Sequence, residues 1–313
     1  IFMIIVNTDV PITSQSCNRI LAELARQYPF ARLEKLTDTA YGRPVNALIL
    51  GQGPRRVLYT AAHHANEWIT ALVLLQFANE LCQAVQSSGS IFGYDAKTLL
   101  DRATVALVPM VNPDGVDLVV GAIPTDSNEY AVARGLAGNY PNIPFPDGWK
   151  ANLYGVDLNL QYPAGWLQAR EIKFSQGYTL PGPRDYVGTA PLNQPEARAL
   201  ADYTESFDPD LILAYHTQGK EIYWQFNDIQ VPGAEELGQA FARVSGYTLT
   251  QAPPNSANAG YKDWFIKYFR RPGYTVEAGE GVNPLPIEQF PEIYRDNLGI
   301  LVLGILGEDL NVS

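Results

Sequence analysis

His64, Glu67 and His216 are the residues of this chain best suited to chemistry. Only three histidines occur, His63, His64 and His216, and Glu67 follows three positions after His64 in His64-Ala65-Asn66-Glu67. Two imidazoles and a carboxylate are the protein ligands of an open zinc site, which keeps its fourth position for water. Water in that position ionises near neutral pH, so the set points to metal-assisted hydrolysis of an amide, with one Zn2+ per chain. His63 competes for the ligand role, but three residues beyond it stands Asn66, a poor zinc ligand, so His64 is preferred. The other explanation is two packing histidines and a carboxylate at a helix start, where the dipole favours it.

The elements around these residues favour convergence. Arg56 to Ala62 is a compact apolar run that ends at His63 and His64, and Glu67 to Val85 follows as an expected helix with a stripe of Leu72, Leu75, Phe77, Leu81 and Val85. Leu211 to Tyr215 is a second apolar strand, delivering His216 at its end. Open α/β sheets bind ligands beyond the carboxyl ends of their strands. Further strands are expected over Ala31 to Thr39, Val45 to Gly51, Thr104 to Val111, Glu221 to Phe226 and Gly273 to Ala278. Helices are expected over Pro195 to Ser206, Pro232 to Val244, Lys262 to Arg270 and Ile287 to Leu310. Asn112-Pro113-Asp114-Gly115 reads as a turn, and residues 121 to 155 as a long irregular, functional loop. Alternating strands and helices, with no repeat or linker, imply one α/β domain over residues 1–313, its sheet flanked by helices on both faces.

Composition narrows the function classes. The 313 residues are 46% hydrophobic and 18% charged, as in folded soluble proteins. A net charge of -11, from 33 acidic and 22 basic residues, argues against nucleic acid as a partner. Cys17 and Cys82 form no disulfide framework. No apolar run approaches the ~18 residues of a membrane span. The apolar start Ile1 to Val6 is too short for a signal peptide and lacks a basic flank. The chain opens on Ile rather than Met, which leaves room for an N-terminal module upstream. A cytoplasmic location is expected, with the cell wall or secretion as the alternative if the N-terminus is trimmed. Oligomeric state is left open.

Six motifs in order resemble the zinc carboxypeptidase family: Gly42-Arg43-Pro44, His64-Ala65-Asn66-Glu67-Trp68, Val111-Asn112-Pro113-Asp114-Gly115, Gly155-Val156-Asp157-Leu158-Asn159, the His216 strand and Gly273-Tyr274-Thr275-Val276-Glu277. Trp149-Lys150-Ala151-Asn152, Gln161-Tyr162-Pro163-Ala164, His216-Thr217-Gln218-Gly219, Ala259-Gly260-Tyr261-Lys262-Asp263-Trp264 and Gly281-Val282-Asn283-Pro284-Leu285-Pro286 resemble, more narrowly, the bacterial γ-D-glutamyl-L-diamino acid peptidases, which cut peptidoglycan stem peptides. The resemblance implies a mixed, mostly parallel central sheet, zinc held by His64, Glu67 and His216, and a muropeptide or stem-peptide substrate. It implies that Glu277 is the general base, and burial on an apolar strand would raise its pKa toward that task. The alternative is a structural carboxylate paired with Arg270 or Arg271. Asp157 matches a carboxylate that orients His64 through its free nitrogen, or else it shapes a turn near Gly155. Lys150 takes the place of a catalytic arginine and could stabilise the oxyanion, or be a solvated loop lysine.

Departures from the family pattern sharpen the substrate. Asn66 and Leu160 stand where carboxypeptidases carry arginines for a C-terminal carboxylate, and a leucine makes no bidentate pair. Asn159 matches a substrate-binding asparagine, and Asn66 is a further candidate for substrate binding. Lys262, at the expected specificity position, could meet a substrate carboxylate or simply pair with Asp263; Arg184 is a further cation with an equally available structural role. The expected reaction is hydrolysis of the γ-D-glutamyl to diamino acid bond. The rivals are a general metallocarboxypeptidase and a non-catalytic binding module for cell-wall peptide.

Overall fold

In the computed structural model, which describes residues 6–307, eight strands form one sheet. They are β1 (Ala31–Asp38), β2 (Pro44–Leu50), β3 (Arg55–Ala61), β6 (Ala103–Val108), β7 (Leu211–His216), β8 (Glu221–Tyr223), β9 (Thr248–Thr250) and β10 (Gly273–Glu277). A separate two-residue ribbon pairs β4 (Ser90–Ile91) with β5 (Tyr94–Asp95). The order is β1-β2-β6-β3-β7-β10-β8-β9. Strands β6, β3, β7 and β10 run parallel through the centre, β1 and β2 pair antiparallel to their neighbours, and β8 is antiparallel to β10 but parallel to β9. This is the mixed α/β sheet that the resemblance implied.

Period-two alternation splits the core. On β2, Leu48 and Leu50 enter one apolar layer while Val45, Ala47 and Ile49 enter the other; on β3, Val57 and Tyr59 oppose Leu58. The first layer is closed by α1 (Ser14–Gln27), α2 (Ile69–Gln86), α3 (Ala96–Arg102), α8 (Ala234–Ser245) and α10 (Phe290–Leu306). The second is closed by α7 (Pro195–Phe207) and α9 (Tyr261–Phe269). Three further helices complete the set among the described residues: α4 (Pro113–Val119), α5 (Asn128–Ala137) and α6 (Trp166–Ser175).

Several expectations change. Asn112-Pro113-Asp114-Gly115 is a helix start rather than a turn, because Asn112 Oδ1 accepts the Gly115 amide at 3.0 Å and Pro113 tolerates the first helical position. The irregular stretch 121–155 contains α5, whose face is mostly solvated, so its apolar period is faint: only Ala133 and Ala137 are buried. The helix expected from Glu67 begins as a 3-10 turn over Ala65–Glu67 and becomes α2 only after Trp68. The strand expected to Phe226 stops at Tyr223. The closing helix starts at Phe290 after a 3-10 turn, and its expected end at positions 308–310 lies outside the described residues. Helix α1 was missed although Thr13 caps it and Cys17, Ile20, Leu21 and Leu24 recur at helical spacing. No helix among the described residues is long and apolar enough to cross a membrane.

Candidate active site

The carboxyl ends of β3, β7 and β10 meet at one edge. Glu277 is the Cα partner of His216 across the β10–β7 pair, and Ala61 partners Tyr215 across β3–β7. Three residues beyond β3, His64 turns into the same space. Its Nδ1 lies 3.2 Å from His216 Nδ1 and 3.0 Å from Glu67 Oε1, and His216 Nδ1 lies 2.9 Å from Glu67 Oε2. His64 Nε2 lies 3.0 Å from Asp157 Oδ1, so that nitrogen carries the proton and Nδ1 presents its lone pair. The ligand atoms of His64, Glu67 and His216 all fall within 4.8 Å of one another.

This donor set fits zinc. Two imidazole lone pairs and a carboxylate directed at one point repel each other unless a positive charge sits among them. The electrostatics show that the site draws positive charge: burial opposes a charge on His64, yet the carboxylates of Glu67 and Asp157 outweigh it. Burial likewise opposes ionisation of Glu67, but Lys150, His64 and His216 hold its carboxyl well below the ordinary range. His63 is outside the cluster. Its Nε2 meets Tyr162 Oη at 3.3 Å, its ring stacks on His216, and burial keeps it neutral.

Lys150 is no solvated loop residue. Its Nζ lies 2.9 Å from Glu67 Oε1, with 17% of its side chain exposed. Asn112 sets its position: the Asn112 amide donates to the carbonyls of His63, Lys150 and Ala151, and the Ala65 amide donates to the Lys150 carbonyl. Glu277 lines the cavity, and burial together with the nearby charge of Glu67 pushes its pKa up to about 8. Arg271, the structural partner considered for Glu277, binds Asp208 at 2.7 Å instead.

The cavity measures about 900 Å³. Asn159, Asn66, Lys262, Leu160 and Arg184 all line it. Asn159 Oδ1 accepts the Tyr261 amide at 3.0 Å, anchoring the start of α9. Asn66 Nδ2 donates to the Asp147 carbonyl at 2.9 Å, leaving its buried Oδ1 without a partner among the described residues. Lys262 is buried, paired with Asp263 at 2.7 Å and donating to the Gln225 carbonyl, so its ammonium is already engaged inside the fold. Leu160 adds an apolar wall packed on Ala169, Val187 and Ala259. Of the aromatics near the motifs, Trp149 and Trp264 are core residues, whereas Tyr223 reaches the cavity. Sequence reasoning missed Lys173 and Asp185, which also line the cavity and pair at 2.6 Å. The adjacency of Asp185 to Arg184 was the one available signal.

A sequence model of the zinc carboxypeptidase family matches residues 17–299. The chain belongs to that family. As a zinc carboxypeptidase-family protein it is a zinc metallopeptidase. It is 44% identical over 287 residues to the gamma-D-glutamyl-L-diamino acid endopeptidase 1 of Lysinibacillus sphaericus, covering 91% of this chain and 70% of that protein. It is 37% identical to an uncharacterised protein, YqgT, of Bacillus subtilis over 88% of this chain and 72% of that one. Carboxypeptidase A from Helicoverpa armigera shares the fold with a TM-score of 0.71 at 17% identity, over 97% of this chain and 76% of that one.

Proposed function

We propose that this metallopeptidase hydrolyses the amide between the γ-carboxyl of D-glutamate and a diamino acid in peptidoglycan stem peptides. The observation that carries this reading is the 44% identity, along 91% of the chain, to a relative named for that activity. The cavity wall supports it. Asn66 and Leu160 occupy positions at which a carboxypeptidase would carry arginines, and neither offers a charged fork to a peptide C-terminus.

Zinc held by His64, Glu67 and His216 would supply a Lewis acid and a water of lowered pKa. Glu277 accepts the water proton and then delivers it to the leaving amine, and burial on its apolar strand raises the proton affinity of its carboxyl toward that task. Lys150 donates to the carbonyl oxygen as negative charge grows there, and its ammonium is charged because Glu67 overcomes the cost of burial. Asp157 holds the His64 ring in orientation and tautomer. Asn159, fixed through its oxygen to α9, keeps its amide nitrogen for substrate.

The test incubates the zinc-loaded protein with L-Ala-γ-D-Glu-meso-diaminopimelate and, separately, with a hippuryl dipeptide. Release of L-Ala-D-Glu from the first is expected. Cleavage of the hippuryl peptide alone would return the protein to general carboxypeptidase action.

A further inference from the structure

Two cavity residues, Arg184 and Lys262, are each followed in the chain by an aspartate with which they pair. At Lys262 one cation meets one anion, and both side chains are about 5% exposed or less. At Arg184 the count differs. Asp185 Oδ2 accepts Arg184 Nε at 2.6 Å, while Asp185 Oδ1 accepts Lys173 Nζ at 2.6 Å. One carboxylate therefore serves two cations by direct contact, while Asp157, the other carboxylate whose charge acts on Arg184, is bonded to His64, so among direct pairs a positive charge is left over. Lys173 and Asp185 are 9% and 11% exposed, whereas Arg184 is 39% exposed, so the surplus sits on the guanidinium that faces the cavity.

The geometry of that guanidinium matters as much as its charge. Its Nε is anchored, and among the described residues neither terminal nitrogen donates to a protein atom. A fork fixed at one corner with two parallel donors free is the arrangement that reads a carboxylate in bidentate fashion. Lys150 has no planar fork and, beside Glu67, is the group assigned above to the reacting carbonyl oxygen, while Lys262 is committed to Asp263 and Gln225. Arg184 also stands near the reacting groups, since its charge acts on both Lys150 and Asp157.

We infer that Arg184 is a specificity-determining residue whose two terminal nitrogens grip the free α-carboxylate of the D-glutamyl residue on the acyl side of the bond cut. The inference rests on the γ-glutamyl reading above. A γ-linkage leaves that α-carboxylate free and ionised, separated by three carbons from the scissile carbonyl, whereas in an ordinary α-linked peptide the α-carboxyl is itself the group being cut. Arg184 thus supplies a reason for the enzyme to prefer γ-linked substrates beyond the loss of a C-terminal clamp.

The experiment compares three substrates: L-Ala-γ-D-Glu-meso-diaminopimelate, the same peptide with the glutamyl α-carboxyl converted to carboxamide, and the peptide amidated on the diaminopimelate instead. Wild type is expected to cut the first about a hundredfold better than the second in kcat/KM, as befits loss of one charge-assisted bidentate pair. Arg184→Gln is expected to lose that preference to within about threefold, mainly through KM, and Arg184→Lys to restore about a tenth of it. Zinc content and thermal midpoint should stay near wild type, because Asp185 retains Lys173. A variant that slows on all three substrates alike while keeping the preference overturns the inference, as does a variant whose lost preference concerns the diaminopimelate amide. Wild type cutting acid and glutamyl amide equally well overturns it while leaving the γ-glutamyl reading intact. Failure of wild type on every γ-linked substrate removes both.

Discussion

At the sheet edge, His216 and Glu277 are Cα partners in parallel strands, so backbone hydrogen bonds fix their spacing whatever their charge. On the cavity wall, Arg184 and Lys262 are held by ion pairs to the next residue in the chain, so their role depends on how many charges share each carboxylate. The edge can therefore bear an electrostatically unfavourable group such as Glu277, beside the charge of Glu67, because packed apolar strands hold it there. The wall cannot, and each buried charge there needs a counter-charge. The roles proposed above divide accordingly, chemistry to the backbone-registered part and recognition to the charge-counted part.

The largest effect should come from breaking the edge alone. Glu277→Gln is expected to lower kcat by about a thousandfold while zinc stays at one per chain, measured by steady-state kinetics and elemental analysis. Near-normal kcat would remove Glu277 from the role of base. On the wall, Lys262→Met should leave Asp263 buried without its cation and cost about 3–5 kcal/mol in denaturant unfolding, while Arg184→Gln costs little. Equal stabilities for the two variants would erase the distinction drawn between the two pairs. Between edge and wall stands Asp157, whose Oδ1 meets His64 and whose Oδ2 accepts the Asp185 amide. Asp157→Asn should weaken zinc about 10- to 100-fold in chelator competition, and unchanged affinity would sever that link.

A smaller effect lies behind the wall. Burial raises Glu196 to about 7, and its carboxyl meets the amide of Asn152, on the segment that carries Lys150. Because the folded pKa is raised, the native state holds the proton more tightly. Its contribution to stability is thus fully present below about pH 4.5 and is lost as pH rises through about 7. Glu196→Gln should therefore stabilise the protein at pH 8 by on the order of 1–2 kcal/mol and leave it unchanged relative to wild type at pH 4, read by denaturant unfolding at both values. A gain of equal size at both pH values would mean that the carboxylate is not the cause.

Much of the edge was legible beforehand. Apolar runs such as Leu211–Tyr215 mark buried parallel strands, and a histidine placed at the end of such a run can only emerge at the carboxyl edge. That is why His64, Glu67, His216 and Glu277 could be grouped from motifs. The segments between motifs were less legible. Helix α5 exposes most of its surface and so carries little periodic signal, and Asn112-Pro113-Asp114-Gly115 has the composition of a turn and of a capped helix start alike.

What the sequence by itself determined is the ligand set, the carboxylate proposed as base and the strand ends that bring them together, since these follow from residue type and from local pattern. Arg184-Asp185 and Lys262-Asp263 are the same kind of dipeptide in sequence, and nothing local separates them. Only the tertiary structure decided that Lys173, reaching in from α6, shares Asp185 and leaves Arg184 with charge and donors to spare, while Lys262 is used up within the fold. Neutralisation acts through space, and the neighbour that tips the count lies on an element whose approach no local pattern reveals.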